Sequence, residues 1–303
     1  MSRSKGIHRV VWVGIVLAAF ASRAEAGLLY SEHFSGTDGT GLSAYNANWA
    51  VTNNPAITGE KAELDAPGLS VAGKLSQDNA LYLSLPSGGA ATYRFANNND
   101  LADFNLIGTQ TLYMSAFFKA GAADLIKGGS KIYVELPMKK TNTSGTIREQ
   151  QMGLYRDTDD NLAIYVYSDA DYTGSGTTDL GLYAADTTVQ LVMKIDVYPS
   201  GSNFMAKTYV AVDPSVGVDP TWTLISAGSV GSLTGTGFDF YEIAVAANKP
   251  STSGSISNGW IDEIRLGTTY ADVVVAPVPE PATMLLIGTG LAGLVGVARR
   301  RRR

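Results

Sequence analysis

Residues 188–198 constrain the fold of this chain more tightly than any other stretch. Val189, Leu191, Met193, Ile195 and Val197 alternate with Gln190, Lys194 and Asp196. A period of two puts the apolar side chains on one face of a strand, and the 3.6-residue helical period cannot produce it. Residues 81–85, 91–95, 111–118, 131–136, 204–212 and 238–247 are further strand candidates, rich in Tyr, Val, Phe and Ile. Residues 152–156 and 162–167 flank Asp157-Thr158-Asp159-Asp160-Asn161, which reads as a hairpin loop. Gly-, Ser-, Asn- and Pro-rich runs punctuate the rest, and residues 168–182 read as one long loop. Only residues 100–106 suggest a helical turn. About a dozen short strands with frequent turns and no internal repeat predict an all-β, antiparallel β-sandwich, a jelly roll.

The two ends differ from this body. Arg3, Lys5 and Arg9 precede an apolar run at residues 10–21, and Ala24-Glu25-Ala26 follows. A dozen residues span about 18 Å as a helix, short of a bilayer core of about 30 Å. The segment therefore reads as a cleaved signal, residues 1–26, with Ala24 and Ala26 as the small residues signal peptidase requires. At the other end, residues 282–298 carry no charge and contain Gly288, Gly290, Gly293 and Gly296. That length and composition suit a transmembrane helix. Arg299, Arg300, Arg301, Arg302 and Arg303 follow and, as a cytoplasmic stop, hold that end inside by the positive-inside rule. Both basic ends thus predict one topology, with everything between them translocated.

Removing the ends changes the charge. Residues 27–276 hold 14 Lys and Arg against 26 Asp and Glu, whereas the whole chain is only −5. A body this acidic argues against nucleic acid and anionic membrane surfaces as partners. The chain has no Cys, which excludes disulfides, thiolate metal sites and cysteine catalysis. A body of this size buries enough apolar surface to fold without staples.

Pro277-Val278-Pro279-Glu280-Pro281, the apolar run and the five arginines together resemble the PEP-CTERM sorting domain, here residues 278–303. The resemblance implies export, transient insertion in the inner membrane, and processing near Pro279, Glu280 and Pro281 by exosortase. It also implies delivery to the cell surface or extracellular matrix, in association with extracellular polysaccharide. Residues 258–273, beginning Asn258-Gly259-Trp260-Ile261-Asp262-Glu263-Ile264-Arg265, look like the closing strand of laminin G-like domains of the concanavalin A-like superfamily. Residues 28–34 resemble the opening strand that pairs with it. This implies a sandwich over residues 27–267, joined to the sorting signal by a linker at 268–277.

Candidate chemistry is sparse. By alternation Trp260, Asp262, Ile264 and Leu266 share one face of the closing strand. Asp262 then either accepts hydrogen bonds that tie the terminal strands together or belongs to a cation site. Asp157, Asp159 and Asp160 offer the hard oxygens that calcium takes, as laminin G-like domains often do, yet acidic hairpin loops are also ordinary solvated turns. Asp169, Asp171 and Asp179 are weaker candidates. A glycoside hydrolase needs two carboxylates facing across a sugar. The closest pattern, Glu63-Leu64-Asp65, runs into a turn, and parity separates Asp239 from Glu242. His33, the single histidine of the body, reads as structural. Tyr165 and Tyr167 share a face, as sugar platforms and ordinary cross-strand packing both require. The expected function is a non-catalytic surface or matrix protein that binds polysaccharide, with a surface glycoside hydrolase as the alternative.

Overall fold

The computed structural model describes residues 27–53, 61–71, 74–75, 79–86, 90–97, 105–106, 109–125, 129–140, 148–157, 159, 161–168, 176–201, 203–215, 218–232, 238–240, 242–250 and 257–274. They form an antiparallel β-sandwich. Sheet A runs in the order β16 (Thr223–Ser232), β15 (Asn203–Val212), β14 (Thr188–Ser200), β9 (Gln110–Lys119), β19 (Ser257–Gly267), β6 (Ala80–Leu85) and β3 (Lys61–Asp65). β1 (Leu28–Glu32) also pairs with β19. Sheet B runs β13 (Gly176–Leu182), β12 (Leu162–Ser168), β11 (Arg148–Arg156), β10 (Lys131–Lys140), β18 (Ile243–Lys249), β7 (Ala91–Asn97) and β2 (Trp49–Asn53). β17 (Phe238–Phe240) joins β10 to β8 (Asn105–Leu106), and β4 (Ser70–Val71) and β5 (Lys74–Leu75) make a small ribbon. Two one-turn helices, α1 (Leu42–Tyr45) and α2 (Tyr270–Val273), complete the described residues.

The alternation in β14 does what the sequence requires. Val189, Leu191, Met193, Ile195 and Val197 enter one core with Leu112, Met114, Ala116 and Phe118 of β9, and with Ile132, Val134 and Leu136 of sheet B. Full burial of each such aliphatic side chain stabilises by about 1.5–3 kcal/mol, so these facing rows supply most of the driving force. The hairpin about residues 157–161 joins β11 to β12. The opening and closing strands pair antiparallel, Leu28 with Gly267 and Glu32 with Ile264.

Several local expectations give way. Residues 176–182, read as loop, are an edge strand, because β12 offers them a free row of backbone groups. Asn105 and Leu106, read as helical, pair with β17, and the remainder of 100–106 lies outside the described residues. The single strand expected over 238–247 divides into β17 and β18. Residues 268–274 of the expected linker belong to the fold: Thr269 N and Oγ1 donate to Asp272 Oδ2 at 2.8 and 2.6 Å, and the α2 turn packs Val273 on Val192. The signal segment 1–26 and the transmembrane segment 282–298 lie outside the described residues, among which no helix is long and apolar enough to cross a membrane.

The closing strand departs from strict alternation. Its register on β9 shifts between Asp262 and Arg265, and Glu263 adopts φ 49°. The bulge turns Ile261, Ile264 and Leu266 all into the core and leaves Asp262 on the outer side with Trp260. Asp262 is fully buried there, and its carboxylate accepts from Leu69 N at 2.9 Å and Glu263 N at 2.8 Å. Asp262 accepts backbone hydrogen bonds, as one reading expected, but they hold the segment after β3 and the bulge itself rather than tie the terminal strands together. Beside the bulge, His33 Nδ1 lies 3.0 Å from Glu263 Oε2, which Arg265 also approaches at 3.4 Å. Glu32, nearly buried, accepts from Trp49 Nε1 at 3.1 Å, Tyr45 OH at 2.9 Å and Phe34 N at 3.1 Å. These two carboxylates tie β1, α1 and β2 to the closing strand.

Asp262→Ala strands two backbone donors, a cost of about 2–5 kcal/mol. The expected loss in Tm, about 5–15 °C, is the same with calcium and with chelator; a loss confined to calcium-containing buffer contradicts this role. The Glu263 hydrogen bond raises the His33 pKa above its ordinary 6.5. Stability from this contact is therefore full below that value and fades as pH rises through the raised one. The Tm deficit of His33→Gln should be full below pH 6.5 and shrink as pH rises above it. A deficit constant across that rise sinks the assignment.

Candidate functional site

The outer face of sheet B carries what the sequence did not reveal. Register aligns Arg94 of β7, Ala246 of β18, Tyr133 of β10, Gly153 of β11 and Tyr165 of β12 on one rung. Glu135, Gln151 and Tyr167 share the rung on one side, and Lys131 and Tyr155 the rung on the other. Alternation sends Ile132, Val134, Met152, Leu154 and Ile164 of the same strands into the core. Small residues make room: Ala246 and Gly153 flank Tyr133, and a Cβ on Gly153 would stand 2.0 Å from the Ile132 carbonyl oxygen.

On an outer sheet face polar side chains normally meet water. Here Glu135 is 4 % exposed, Gln151 6 %, Tyr133 5 % and Tyr165 4 %. They form a continuous network. Lys131 Nζ donates to Tyr165 OH at 2.7 Å and lies over the rings of Tyr133 and Tyr165, 5.0 and 4.2 Å from their centroids. Tyr165 OH donates to Gln151 Oε1 at 2.8 Å. Gln151 Nε2 donates to Glu135 Oε2 at 3.3 Å and to Glu149 Oε2 at 3.0 Å. Arg94 closes the network, donating to Glu135 Oε1 at 2.8 Å, to Glu242 Oε1 and, through Nη1, to Thr52 Oγ1 at 2.8 Å.

Burial sets the electrostatics. It pulls the Lys131 ammonium down to about 8, although Glu135 and Glu149 oppose the shift. The same burial pushes the Tyr133 and Tyr165 hydroxyls well above the ordinary phenol range. For Arg94 burial works against the charge, but Glu135 and Glu242 outweigh it and hold the guanidinium ionised. The arrangement offers tyrosine faces, carboxylate acceptors and an amine that changes protonation near neutral pH.

Arg94, Lys131, Glu135, Glu149 and Gln151 were not anticipated, and Glu242 was weighed only as a partner of Asp239 and set aside. The available signal was spacing by two: Lys131, Tyr133 and Glu135 on one strand, Glu149 and Gln151 on the next. The strand expected across Asp239 and Glu242 divides between β17 and β18, so continuous alternation does not relate the two; Asp239 pairs with Lys139 in backbone register, and Glu242 reaches Arg94. Tyr165 and Tyr167 lie on one face, as alternation required.

The other candidates fall elsewhere. Asp65 Oδ2 accepts from Trp260 Nε1 at 2.6 Å, and Glu63 pairs with Lys61 at 3.3 Å, both on sheet A. Asp157 closes its hairpin, accepting from Asn161 N at 2.7 Å and Asn161 Nδ2 at 3.2 Å, and the Asn161 amide holds its carboxyl below the usual range. Asp159 lies in the turn, Asp160 is outside the described residues, and no group of three His, Asp or Glu among the described residues stands ready for a metal ion. Asp179 lies on β13 opposite Tyr165, while Asp169 and Asp171 are outside the described residues. Ala24, Ala26, Pro279, Glu280, Pro281 and Arg299 to Arg303 are outside them also.

Residues 277–303 match the PEP-CTERM protein-sorting motif. The chain thus carries the C-terminal sorting signal of an exported protein. No curated protein sequence matches it. Among solved structures it is similar to the Emp47p carbohydrate recognition domain, at 11 % identity and TM-score 0.43, over 82 % of this chain and 99 % of that one. Lectin UEA-II complexed with galactose matches at 11 % identity and TM-score 0.40, over 78 % and 98 %. Alginate lyase vAL-1 from Chlorella virus matches at 9 % identity and TM-score 0.42, over 74 % and 94 %.

The Lys131 amine should titrate near pH 8 when followed by NMR of the labelled side chain. Glu135→Gln removes a charge that supports the ammonium, so the value should fall further. A Lys131 signal in the ordinary lysine range, or one indifferent to Glu135→Gln, contradicts the network.

Proposed function

We propose that this protein is a non-catalytic, polysaccharide-binding sandwich of the cell surface or matrix, and that the outer face of sheet B is its glycan site. The route is signal peptidase cleavage near Ala24 and Ala26, transient anchoring through residues 282–298, and exosortase processing near Pro279, Glu280 and Pro281. One observation carries the binding reading: a polar network sequestered on an outer sheet face, bordered by the half-buried Tyr155 and Tyr167. Ordinary packing does not require buried Glu and Gln there, whereas a site that must hold hydroxyl-bearing ligands in one orientation does. The non-catalytic reading rests on occupancy. Glu135 is engaged by Arg94 and Gln151, Glu242 by Arg94 and Glu149 by Gln151.

Charge narrows the ligand. Both cations of the network, Arg94 and Lys131, are internally engaged, and three glutamates surround them. Uronate-bearing chains would meet excess negative charge, whereas neutral or amine-bearing glycans find acceptors. The alternative, a surface glycoside hydrolase, draws on Glu135 and Glu149 lying within hydrogen-bond reach of one amide nitrogen.

The test is binding and product release on neutral, amine-bearing and uronate-bearing polysaccharides. Expected is retention by the first two classes with no new reducing ends, and a loss of about tenfold or more for Tyr167→Ala, equivalent to about 1.4 kcal/mol. Reducing ends that vanish in both Glu135→Gln and Glu149→Gln establish the hydrolase instead. Neither retention nor new reducing ends with any of the three classes defeats both.

A further inference from the structure

Sheet A ends in a different kind of surface, at the point where the chain leaves for its sorting signal. The α2 turn and Val274 lie against the outer face of this sheet: Ser115 Oγ donates to the Val273 carbonyl at 2.6 Å, and Val273 and Val274 cover Val192. Tyr270 packs on Tyr113 and Trp222 with ring centroids 6.3 and 6.0 Å apart, Tyr113 and Trp222 stand 6.0 Å apart, and Tyr270 OH donates to the Ser215 carbonyl at 2.9 Å. Register continues this aromatic group along one rung, Tyr113, Lys194, Tyr209 and Leu224. Leu224 is 53 % exposed. Val218, in the same β15–β16 connection as Trp222, is 59 % exposed. Two of the five large hydrophobic residues exposed among the described residues, Leu224 and Val218, therefore lie on the strand and connection that flank Trp222.

Chain length says what can cover this patch. Val274 and Ala282, the first residue of the uncharged run, are eight residues apart. At no more than about 3.5 Å per residue, the tether spans at most about 28 Å. Trp and Tyr, amphipathic at ring scale, partition to the boundary between headgroups and hydrocarbon, and a Lys stem lies along such a surface with its ammonium in water. The local charges are Lys194 with Asp196, 3.1 Å apart, and Asp219, which accepts from Trp222 Nε1 at 3.1 Å. Together with Asp213 in the same connection they disfavour an anionic surface and leave a zwitterionic one.

We propose that the Tyr113–Trp222–Tyr270 group with Leu224 and Val218 is a membrane-facing surface, resting on the outer leaflet while the tail is inserted. This rests on the reading that residues 282–298 span the membrane. A few exposed apolar side chains bind a bilayer weakly in solution, but a tether this short raises their effective concentration to the millimolar range. Cutting the chain near Pro279, Glu280 and Pro281 removes that advantage, so the sandwich leaves the surface once processed.

The experiment uses the chain without its signal segment, inserted through its tail into phosphatidylcholine nanodiscs that contain brominated lipid. Trp49 is fully buried, and Trp260 is engaged by Asp65 and Tyr82 beside β3, which leaves Trp222 as the reporter at the patch. Expected is quenching of tryptophan fluorescence that disappears in Trp222→Phe, weakens at least twofold in Val218→Ser/Leu224→Ser, and is lost on cutting the tether. Discs that carry the inserted tail with Trp222 unquenched overturn the proposal while leaving the reading of the tail intact. A tail that does not enter the disc overturns both, and concentration-dependent self-association in place of quenching assigns the patch to a second copy.

Discussion

The bulge in β19 is the constraint on which the rest of the sandwich depends. β19 lies inside sheet A, beside β9 along its length, and changes its other partner partway. Residues 257–261 pair with β6, and residues 264–267 with β1. A regular strand could serve only one of these, because its face alternation would carry on unchanged. The one extra residue between Asp262 and Arg265 turns the second half so that Ile264 and Leu266 point inward again. A non-glycine residue at positive φ costs about 1–2 kcal/mol, so the bulge exists only where other contacts outweigh it. The Asp262 carboxylate accepts from two backbone N–H groups at the bulge, and Glu263 supplies the partner of His33. Asp262 thereby holds the strained turn to the segment after β3, and Glu263 links it to the segment that follows the first strand.

A second constraint shapes the outer face of sheet B. Gly153 and Ala246, on either side of Tyr133, carry little or no side chain, and the Tyr133 and Tyr165 rings pack against each other at a tilt of 58°. The packed rings, with Glu135 and Gln151 buried beside them, leave little room for water. Each polar group then needs a protein partner, since an unmade buried hydrogen bond costs about 1–3 kcal/mol. The Lys131-to-Arg94 network is the outcome of that requirement, and the depressed amine of Lys131 is its electrostatic trace.

How much of this was legible depends on the distance over which the information is stored. Strands such as β14 and the β11–β12 hairpin are written in a dozen consecutive residues, so alternation and turn chemistry sufficed. β16 was missed because Thr223 to Ser232 is built from Gly, Ser and Ala among a few aliphatics, and its pairing comes from β15 rather than from its own pattern. The bulge was invisible because a period of two gives no notice of an interruption. The polar face was missed for another reason: Arg94, Glu135, Gln151 and Glu242 belong to different strands and meet only through register. Searching each strand for its own carboxylate pair could not find a site assembled across several.

The sandwich architecture also separates what its two sides can do. Side chains of one strand alternate between core and exterior, so the exteriors of two stacked sheets, about 10 Å apart, point in opposite directions. The Tyr133–Tyr165 rung projects from sheet B, and the Tyr113–Tyr209 rung from sheet A. The chain leaves from the sheet A side, where α2 seats Val273 against Val192. On the proposed anchoring, a tether departing there would hold sheet A toward the membrane and turn sheet B away from it, so the proposed glycan face and the sorting signal would not compete for one surface. What joins the two faces is the core between the sheets, where Leu191 and Met193 behind one face meet the same packed interior as Ile132 and Val134 behind the other.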